Sequence, residues 1–356
     1  MTTSFNLDEP QTFATLDPTG LGGRIRSLPG QCKAAWQQTR TIDVPETETP
    51  TRHVVIAGMG GSAIAGDLVA DLISASPAIP ITVVRGFHLP FAVNEGTLII
   101  VCSFSGNTKE TLSVFSQAAQ SAARVVAITG GGTLARQAKQ KRIPTLHVNA
   151  PGEPRSAVGY HLTLILGLLN RLQLVDIDDA DVDTAVGYLE RRVAELGGAN
   201  PAKDNPAKQL ALELEGSIPL VYGGGLFSGV ARRWKTQLNE NAKMWAFYEY
   251  IPELLHNSVE SFRTLPPSGA AFKALLLQPN TSTAELDGHF RAASQLLNES
   301  NIPNRLIRGG DCPPLAQLLD MLVLGDYVSY YLALLQGIDP SPTPGIDAAK
   351  ELLVGY

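Results

Sequence analysis

The sequence predicts an α/β protein made of two doubly wound parallel sheets flanked by helices. Three observations predict it. Short apolar runs rich in β-branched residues alternate with stretches long enough for a crossover helix. A glycine turn follows such a run in each half of the chain, at Gly58-Met59-Gly60 and at Gly223-Gly224-Gly225. The length, 356 residues, suits two domains that each bury a core.

Residues 1–40 read as a helical segment. Arg24, Leu28, Cys32 and Trp36 recur every fourth residue, as on one stripe of an amphipathic helix, and Pro29-Gly30 predicts a break in it. Asp17-Pro18-Thr19-Gly20 marks a turn, and Val44–Pro50 reads as a loop. Strands are then expected at His53–Ala57, Ile81–Val84, Thr97–Cys102, Arg124–Ile128 and Thr145–Val148. Each is nearly continuous in apolar character, as in a strand covered on both faces. A helix is expected at Lys109–Ala118. The second half repeats the pattern more weakly, with strands at Pro219–Tyr222, Phe272–Leu277 and Asn304–Ile307 and helices at Thr283–Ser300 and Pro314–Gln336. Gly197–Pro206, with two prolines, marks the boundary between the halves. The expected organisation is therefore a helical segment (1–40), a first domain (41–197), a second domain (198–340) and a helical tail (341–356).

Composition narrows the function classes. Apolar residues make up 44%, which excludes a disordered chain. Charged residues are only 17%, which fits sheets covered on both faces or a subunit interface. The net charge of -6 gives no global field for nucleic acid. Lys139-Gln140-Lys141-Arg142 reads as a solvated helix end. Cys32, Cys102 and Cys312 form no CxxC pair, which argues against a zinc cluster or a disulfide framework and fits a reducing compartment. MTTSFNLDEP lacks the basic flank and apolar run of a signal peptide. The apolar stretch Leu315–Leu335 is interrupted by Gln317, Asp320, Gly325 and Asp326 and reads as a buried helix, not a membrane span. The expectation is a cytoplasmic protein with no membrane or nucleic-acid partner.

Two motifs carry chemistry. Gly58-Met59-Gly60-Gly61-Ser62-Ala63-Ile64-Ala65-Gly66-Asp67 follows a buried strand and opens a helix. Glycines let the backbone approach a ligand, and the helix start offers unpaired N–H groups to an anion. With Ala63 at the third glycine position, a dinucleotide turn stays open, whereas a P-loop lacks its Gly-Lys-Ser/Thr. Ser103-Phe104-Ser105-Gly106-Asn107-Thr108 follows the next buried strand but one. A helix cap needs one hydroxyl; Ser103, Ser105 and Thr108 at the carboxyl edge of a sheet suit a phosphate monoester. The second glycine turn, Gly223–Leu226, has no such hydroxyl cluster, which implies one phosphate site per chain, in the first domain.

GMGGSAIAGD and SFSGNTKET together resemble the first sugar isomerase (SIS) domain of the bifunctional phosphoglucose/phosphomannose isomerases. The resemblance continues through Glu153-Pro154-Arg155-Ser156-Ala157, the stretch from Arg233 to Lys243 with its Asn239-Glu240-Asn241-Ala242-Lys243, Pro252-Glu253-Leu254-Leu255-His256-Asn257, Asp339-Pro340, and Thr343-Pro344 through Lys350. It implies two flavodoxin-like SIS domains and a homodimer. It also implies an enzyme that interconverts glucose-, mannose- and fructose-6-phosphate in carbohydrate metabolism, in glycolysis and gluconeogenesis, without metal or cofactor. By the same resemblance Gly60, Gly61, Ser62, Ser103, Ser105 and Thr108 hold the phosphate and nearby hydroxyls. Arg155 stabilises an enediolate and Glu240 shuttles the proton. His256, from the partner subunit, opens the sugar ring with help from Lys350, and Thr343 leaves room for either C2 epimer.

The chemistry is consistent with these residue types. Aldose–ketose isomerisation moves one proton between C1 and C2, which a carboxylate can take and return. A fixed cation stabilises the enediolate, and no metal is required. Six histidines show no HxH or HExxH pattern. Blander readings stand beside these. Glu240 and Lys243, three apart, could be a surface ion pair. His256 could be a loop residue, Arg155 a turn residue, Lys350 a solvated helix lysine and Thr343 a turn former. Trp234 and Trp245 read as core or interface aromatics. His53, His88, His147, His161 and His289 have no flanking motif and read as structural. A sugar-phosphate sensor of the same fold, or a SIS isomerase acting on an amino-sugar or pentose phosphate, remains an alternative. A sensor would have no reason to gather Glu240, His256 and Lys350 around one ligand.

Overall fold

The computed structural model describes residues 5–44, 48–74, 79–264 and 271–353. The middle of the expected Val44–Pro50 loop and the last three residues of the tail lie outside them.

Three helices lead the chain: α1 (Pro10–Leu16), α2 (Leu21–Arg26) and α3 (Leu28–Thr39). The stripe Leu28, Cys32, Trp36 is buried, as its spacing implies. The break falls at Ser27 rather than at Pro29-Gly30. Pro29 is the second residue of α3, where a missing N–H forfeits no helical bond.

The first sheet follows as β1 (His53–Ala57), α4 (Gly60–Ile73), β2 (Ile81–Val84), β3 (Thr97–Ser103), α5 (Lys109–Ala118), β4 (Arg124–Thr129), α6 (Gly132–Lys141) and β5 (Thr145–His147). All pairings are parallel, in the order β2-β1-β3-β4-β5. Three helices then cross to the second half: α7 (Val158–Arg171), α8 (Asp179–Leu196) and α9 (Pro206–Leu214). Asp178 and Asp181 close a capping box at the start of α8, and Asn205 caps α9 ahead of Pro206.

The second sheet comprises β6 (Ile218–Gly223), α10 (Ser228–Glu240), β7 (Phe247–Tyr250), β8 (Phe272–Gln278), α11 (Ala284–Glu299) and β9 (Asn304–Arg308). The long α12 (Pro314–Leu335) and the tail helix α13 (Pro344–Leu352) end the chain. Its parallel order, β7-β6-β8-β9, repeats the first four positions of the first sheet. Both are doubly wound, with the order reversing beside β1 and β6. Strand β7 has no counterpart among the expected strands. It is an edge strand with Phe247 and Tyr250 exposed, so it lacks the continuous apolar run that marks its neighbours.

Strand alternation sorts the core. Val54 and Ile56 face one large cluster that also takes in Val221, Leu275 and Leu277 and residues of α3, α7, α8, α9 and α12. Val55, Ala57, Ile99 and Val101 face α5 and α6 on the outer side. Tyr222, Ala274 and Leu276 face α11. The two sheets thus share a helical interior, and α12 is its post: every residue except Pro314 and Asp320 is buried. By length and composition α12 could cross a membrane, but 94% of its apolar window is buried inside the protein. Its burial on all sides accounts for its uniform hydrophobicity.

Candidate functional site

Three segments of the first half meet at the carboxyl edge of its sheet. The glycine turn leaves β1 and enters α4. The N–H groups of Ser62 and Ala63 bend back to the Met59 carbonyl (3.1 and 3.4 Å), so those of Gly60 and Gly61 head the helix with no carbonyl inside it to bond. Gly61 lies under the Arg155 turn: a Cβ there would come within 3.1 Å of the Arg155 backbone N and Cα. Only a glycine lets the phosphate-type turn and the arginine touch this closely.

The serine loop leaves β3. Ser103 is the last strand residue and is buried. Its hydroxyl accepts from Gly106 N–H (3.1 Å) and lies 3.3 Å from the Thr108 hydroxyl. Ser105 accepts from Asn107 N–H (3.2 Å), leaving its own proton free for a ligand. Gly106 has φ +66°, and a Cβ there would meet the Gly131 carbonyl oxygen at 1.9 Å, so the loop is pinned against the next β–α turn. Phe104 N–H donates to Ser62 Oγ (3.2 Å) and joins the two loops.

Arg155 sits on a single 3-10 turn before α7 and is 3% exposed. Its guanidinium donates from Nε to Asn241 Oδ1 (2.7 Å) and from Nη2 to the carbonyls of Pro340 (2.9 Å) and Ser341 (2.7 Å). Its Nη1 stands 3.6 Å from Glu240 Oε2. Glu240 ends α10, so the second half supplies the carboxylate that faces the first half's arginine. Behind them Arg233 donates to the Arg155 carbonyl (3.0 Å) and pairs with Asp326 of α12 (2.7 Å), both almost fully buried. Asn241, fully buried, also donates to Ser329 Oγ (3.0 Å) on α12. The central post therefore sets where Arg155 and Glu240 stand.

Charge around the pair is mixed. Lys243 does not pair with the Glu240 carboxylate, as the three-residue spacing suggested. Its ammonium donates to the Glu240 carbonyl and to that of Pro340 (3.1 Å). Burial first, and the Arg155 charge second, push this ammonium down to about 8. Burial opposes ionisation of Glu153, but its bonds to Arg24 and the Arg155 charge hold its carboxyl below the usual range. Arg24 grips Glu153 at 2.7 Å and reaches Ser341 Oγ (3.1 Å), so the leading helices brace the arginine turn and the tail loop together.

Of the residues singled out in the sequence, Gly60, Gly61, Ser62, Ser103, Ser105, Thr108, Arg155 and Glu240 lie on these meeting segments. Thr343 precedes α13, two residues beyond the Ser341 carbonyl that holds Arg155. Lys350 is on α13, exposed and paired with Asp347 (3.1 Å), while Lys109, directly after Thr108, donates to the carbonyl of Leu353 (2.8 Å). The tail helix thus lies beside the serine loop. His256, exposed, ends a 3-10 turn after β7. Among the described residues, neither His256 nor Lys350 hydrogen-bonds to Arg155 or Glu240, and no group of three or more His, Cys, Asp or Glu side chains could hold a metal ion. Asn241 and Lys243 carry contacts that their neighbours in the sequence did not announce, since their partners lie at Arg155 and Pro340. Beyond the second glycine turn, Asp71 of α4 accepts from Gly229 N–H (2.5 Å) at the start of α10.

The SIS domain profile matches residues 49–169, and that of the bacterial phospho-glucose isomerase C-terminal SIS domain matches residues 203–353. A solved glucose-6-phosphate isomerase like protein from Thermus thermophilus shares the fold with a TM-score of 0.65 at 21% identity, covering 98% of this chain and 99% of that one. The C-terminal domain of glucosamine-fructose-6-phosphate aminotransferase from Francisella tularensis does so with a TM-score of 0.70 at 16% identity, covering 90% of this chain and 98% of that one. A D-glucosamine-6-phosphate 4-epimerase of Sulfolobus acidocaldarius is 27% identical over 65% of this chain and 70% of its own. The bifunctional phosphoglucose/phosphomannose isomerase of Thermoplasma acidophilum is 34% identical over 84% of this chain and 89% of its own, and that of Caldicellulosiruptor bescii is 32% identical over 92% of this chain and 97% of its own. At 32% and 34% identity over most of both chains, this chain belongs to the bifunctional phosphoglucose/phosphomannose isomerase family.

Proposed function

We propose that this protein is an aldose–ketose isomerase that interconverts glucose-6-phosphate, mannose-6-phosphate and fructose-6-phosphate through an enediolate. The observation that carries the proposal is the 3.6 Å approach of Arg155 Nη1 to Glu240 Oε2 beside a cradle of N–H groups and hydroxyls. The cradle holds the phosphate, with Gly60 and Gly61 giving backbone N–H groups and Ser105 and Thr108 hydroxyls. Ser62 and Ser103 lie beneath them and shape the cradle or meet the ligand. The sugar then extends toward Arg155. Glu240 takes the proton from one carbon and returns it to the next, and Arg155 holds the negative oxygen that develops between. A guanidinium fixed by three bonds needs no reorganisation at that moment, and this route requires neither metal nor cofactor.

Ring opening falls to His256 and Lys350. Within one chain neither hydrogen-bonds to Glu240, and His256 is assigned to act across a homodimer. Support comes from the surface beside it: Trp245 is 75% exposed and stacks on Phe247, which is 48% exposed, on the unpaired edge of β7. Exposed aromatics in a row suit a subunit interface. Thr343, at the head of α13, is assigned to border C2 and accommodate either epimer. The protein is assigned to the cytoplasm and to hexose-phosphate metabolism.

The test is a coupled assay of purified protein on glucose-6-phosphate and mannose-6-phosphate in parallel, repeated with Glu240→Gln. Both substrates should turn over, and the variant should lose several orders of magnitude in kcat while still binding fructose-6-phosphate. Turnover of neither substrate by the wild type, with fructose-6-phosphate still bound, would leave a sensor. Full activity of the variant would remove Glu240 from the chemistry.

A further inference from the structure

His161 lies on α7, four residues beyond Ala157, and is 0% exposed. Its Nδ1 is 3.2 Å from the Ala157 carbonyl oxygen, and its Nε2 is 3.2 Å from Ser62 Oγ. A carbonyl can only accept, so Nδ1 carries the proton. In the neutral ring Nε2 is then an acceptor, and the Ser62 hydroxyl must donate to it. The same hydroxyl oxygen accepts from Phe104 N–H at 3.2 Å. Every donor and acceptor in this run, from Phe104 through Ser62 and His161 to Ala157, is thereby assigned a direction.

We propose that His161 is a positioning residue for the phosphate cradle, acting through Ser62. The run joins the three segments that meet at the site. Phe104 belongs to the serine loop, Ser62 to the glycine turn, and Ala157 ends the turn that carries Arg155. No other imidazole among the described residues is so enclosed, and burial pushes this one down to about 4 against the pull of Ala157. Burial thus favours the neutral ring, whose Nε2 accepts from Ser62. Without it, the Ser62 Oγ–H, at 3% exposure, would be left buried with no acceptor. The point where both loops meet would then be held by Phe104 N–H alone.

This inference rests on the phosphate reading proposed above. The experiment separates the two by measuring affinity as well as turnover. Inorganic phosphate and fructose-6-phosphate are titrated calorimetrically into the wild type, His161→Leu, Ser62→Ala and the double variant, and KM and kcat are measured alongside. His161→Leu should weaken both ligands roughly threefold to tenfold, with KM rising and kcat nearly held. In the Ser62→Ala background it should cost little more, because the partner it orients is gone. His161→Gln, which keeps an acceptor, should recover part of the loss and serves if the leucine variant does not fold. Unchanged affinity in His161→Leu and His161→Gln, or an equal loss in both Ser62 backgrounds, would overturn the proposal. A ¹⁵N spectrum of the free wild type reads the ring directly: Nδ1–H neutral imidazole at pH 6 supports it, and a charged ring or the Nε2–H tautomer refutes it. Should the protein bind phosphate yet isomerise neither sugar, the affinity comparison still decides on His161.

Discussion

Replacing Asn241 by leucine tests how Arg155 is held. Leucine repeats asparagine's branching but is bulkier, so at this 0% exposed site the substitution removes both polar ends at the cost of some overpacking. Arg155 then loses the acceptor at Nε (2.7 Å) and keeps two bonds, both from Nη2, to the carbonyls of Pro340 and Ser341. Held along one edge, the guanidinium can swing, and Nη1 is the nitrogen that faces Glu240. Ser329 is less affected, since its hydroxyl still donates to the Asp326 carbonyl (2.9 Å). A hydrogen bond from a charged donor contributes about 1.5–3 kcal/mol. If that is expressed in the placement of Arg155 at the transition state, kcat should fall roughly 10- to 150-fold. KM should change little, because the negative oxygen that Arg155 meets develops after binding. The coupled isomerase assay reads kcat and KM, and a thermal melt confirms folding. The control is Arg155→Lys, which keeps the charge without the fork: in that background Asn241→Leu should add little. A folded Asn241→Leu enzyme with kcat within threefold of wild type, or an equal penalty in both backgrounds, would refute the reasoning.

Three other outcomes follow from the same contacts. Gly106→Ala should collapse the serine loop, because its Cβ would fall 1.9 Å from the Gly131 carbonyl at a φ of +66°; KM for each sugar phosphate should rise at least tenfold, and an unchanged KM would show that the loop does not hold substrate. Burial, with the Asp67 charge adding and the Gly229 N–H opposing, raises the Asp71 carboxyl to about 7, so its contribution to stability is fully present below the usual carboxylate range and is lost as pH rises through 7. Asp71→Asn, which still accepts from Gly229, should therefore match wild type in thermal melts at pH 4 and exceed it by about 1–3 kcal/mol at pH 8, and a gap that does not widen with pH would contradict this. Incubation with EDTA should leave isomerase activity unchanged, whereas loss of activity restored by zinc would overturn the metal-free route.

What was legible from the residues alone was whatever depends on local pattern. Runs such as His53–Ala57 and Thr97–Cys102 announced strands, because burial on both faces admits nothing but apolar side chains. Glycines and hydroxyls at Gly60–Ser62 and Ser103–Thr108 marked turns where backbone N–H groups allow close approach, the basis of the proposed anion cradle. Strand β7 was not legible: Phe247 and Tyr250 sit on an open edge, so no apolar run records the pairing. The roles of Asn241 and His161 were hidden for another reason. Their partners lie 86 and 99 residues away, at Arg155 and Ser62, and a side chain's hydrogen-bond partner is set by how helices pack, not by its neighbours in the chain. Likewise nothing in Asp71 declares that it will accept from Gly229 at the start of α10. Sequence by itself determined the buried strands, most of the turns and the kinds of chemical groups at their ends, since these follow from short-range sterics and from burial. Only the tertiary structure decided which groups face one another, because the packing of α12 in the shared interior, with the tail loop and leading helices, brings Arg155 of one half against Glu240 of the other.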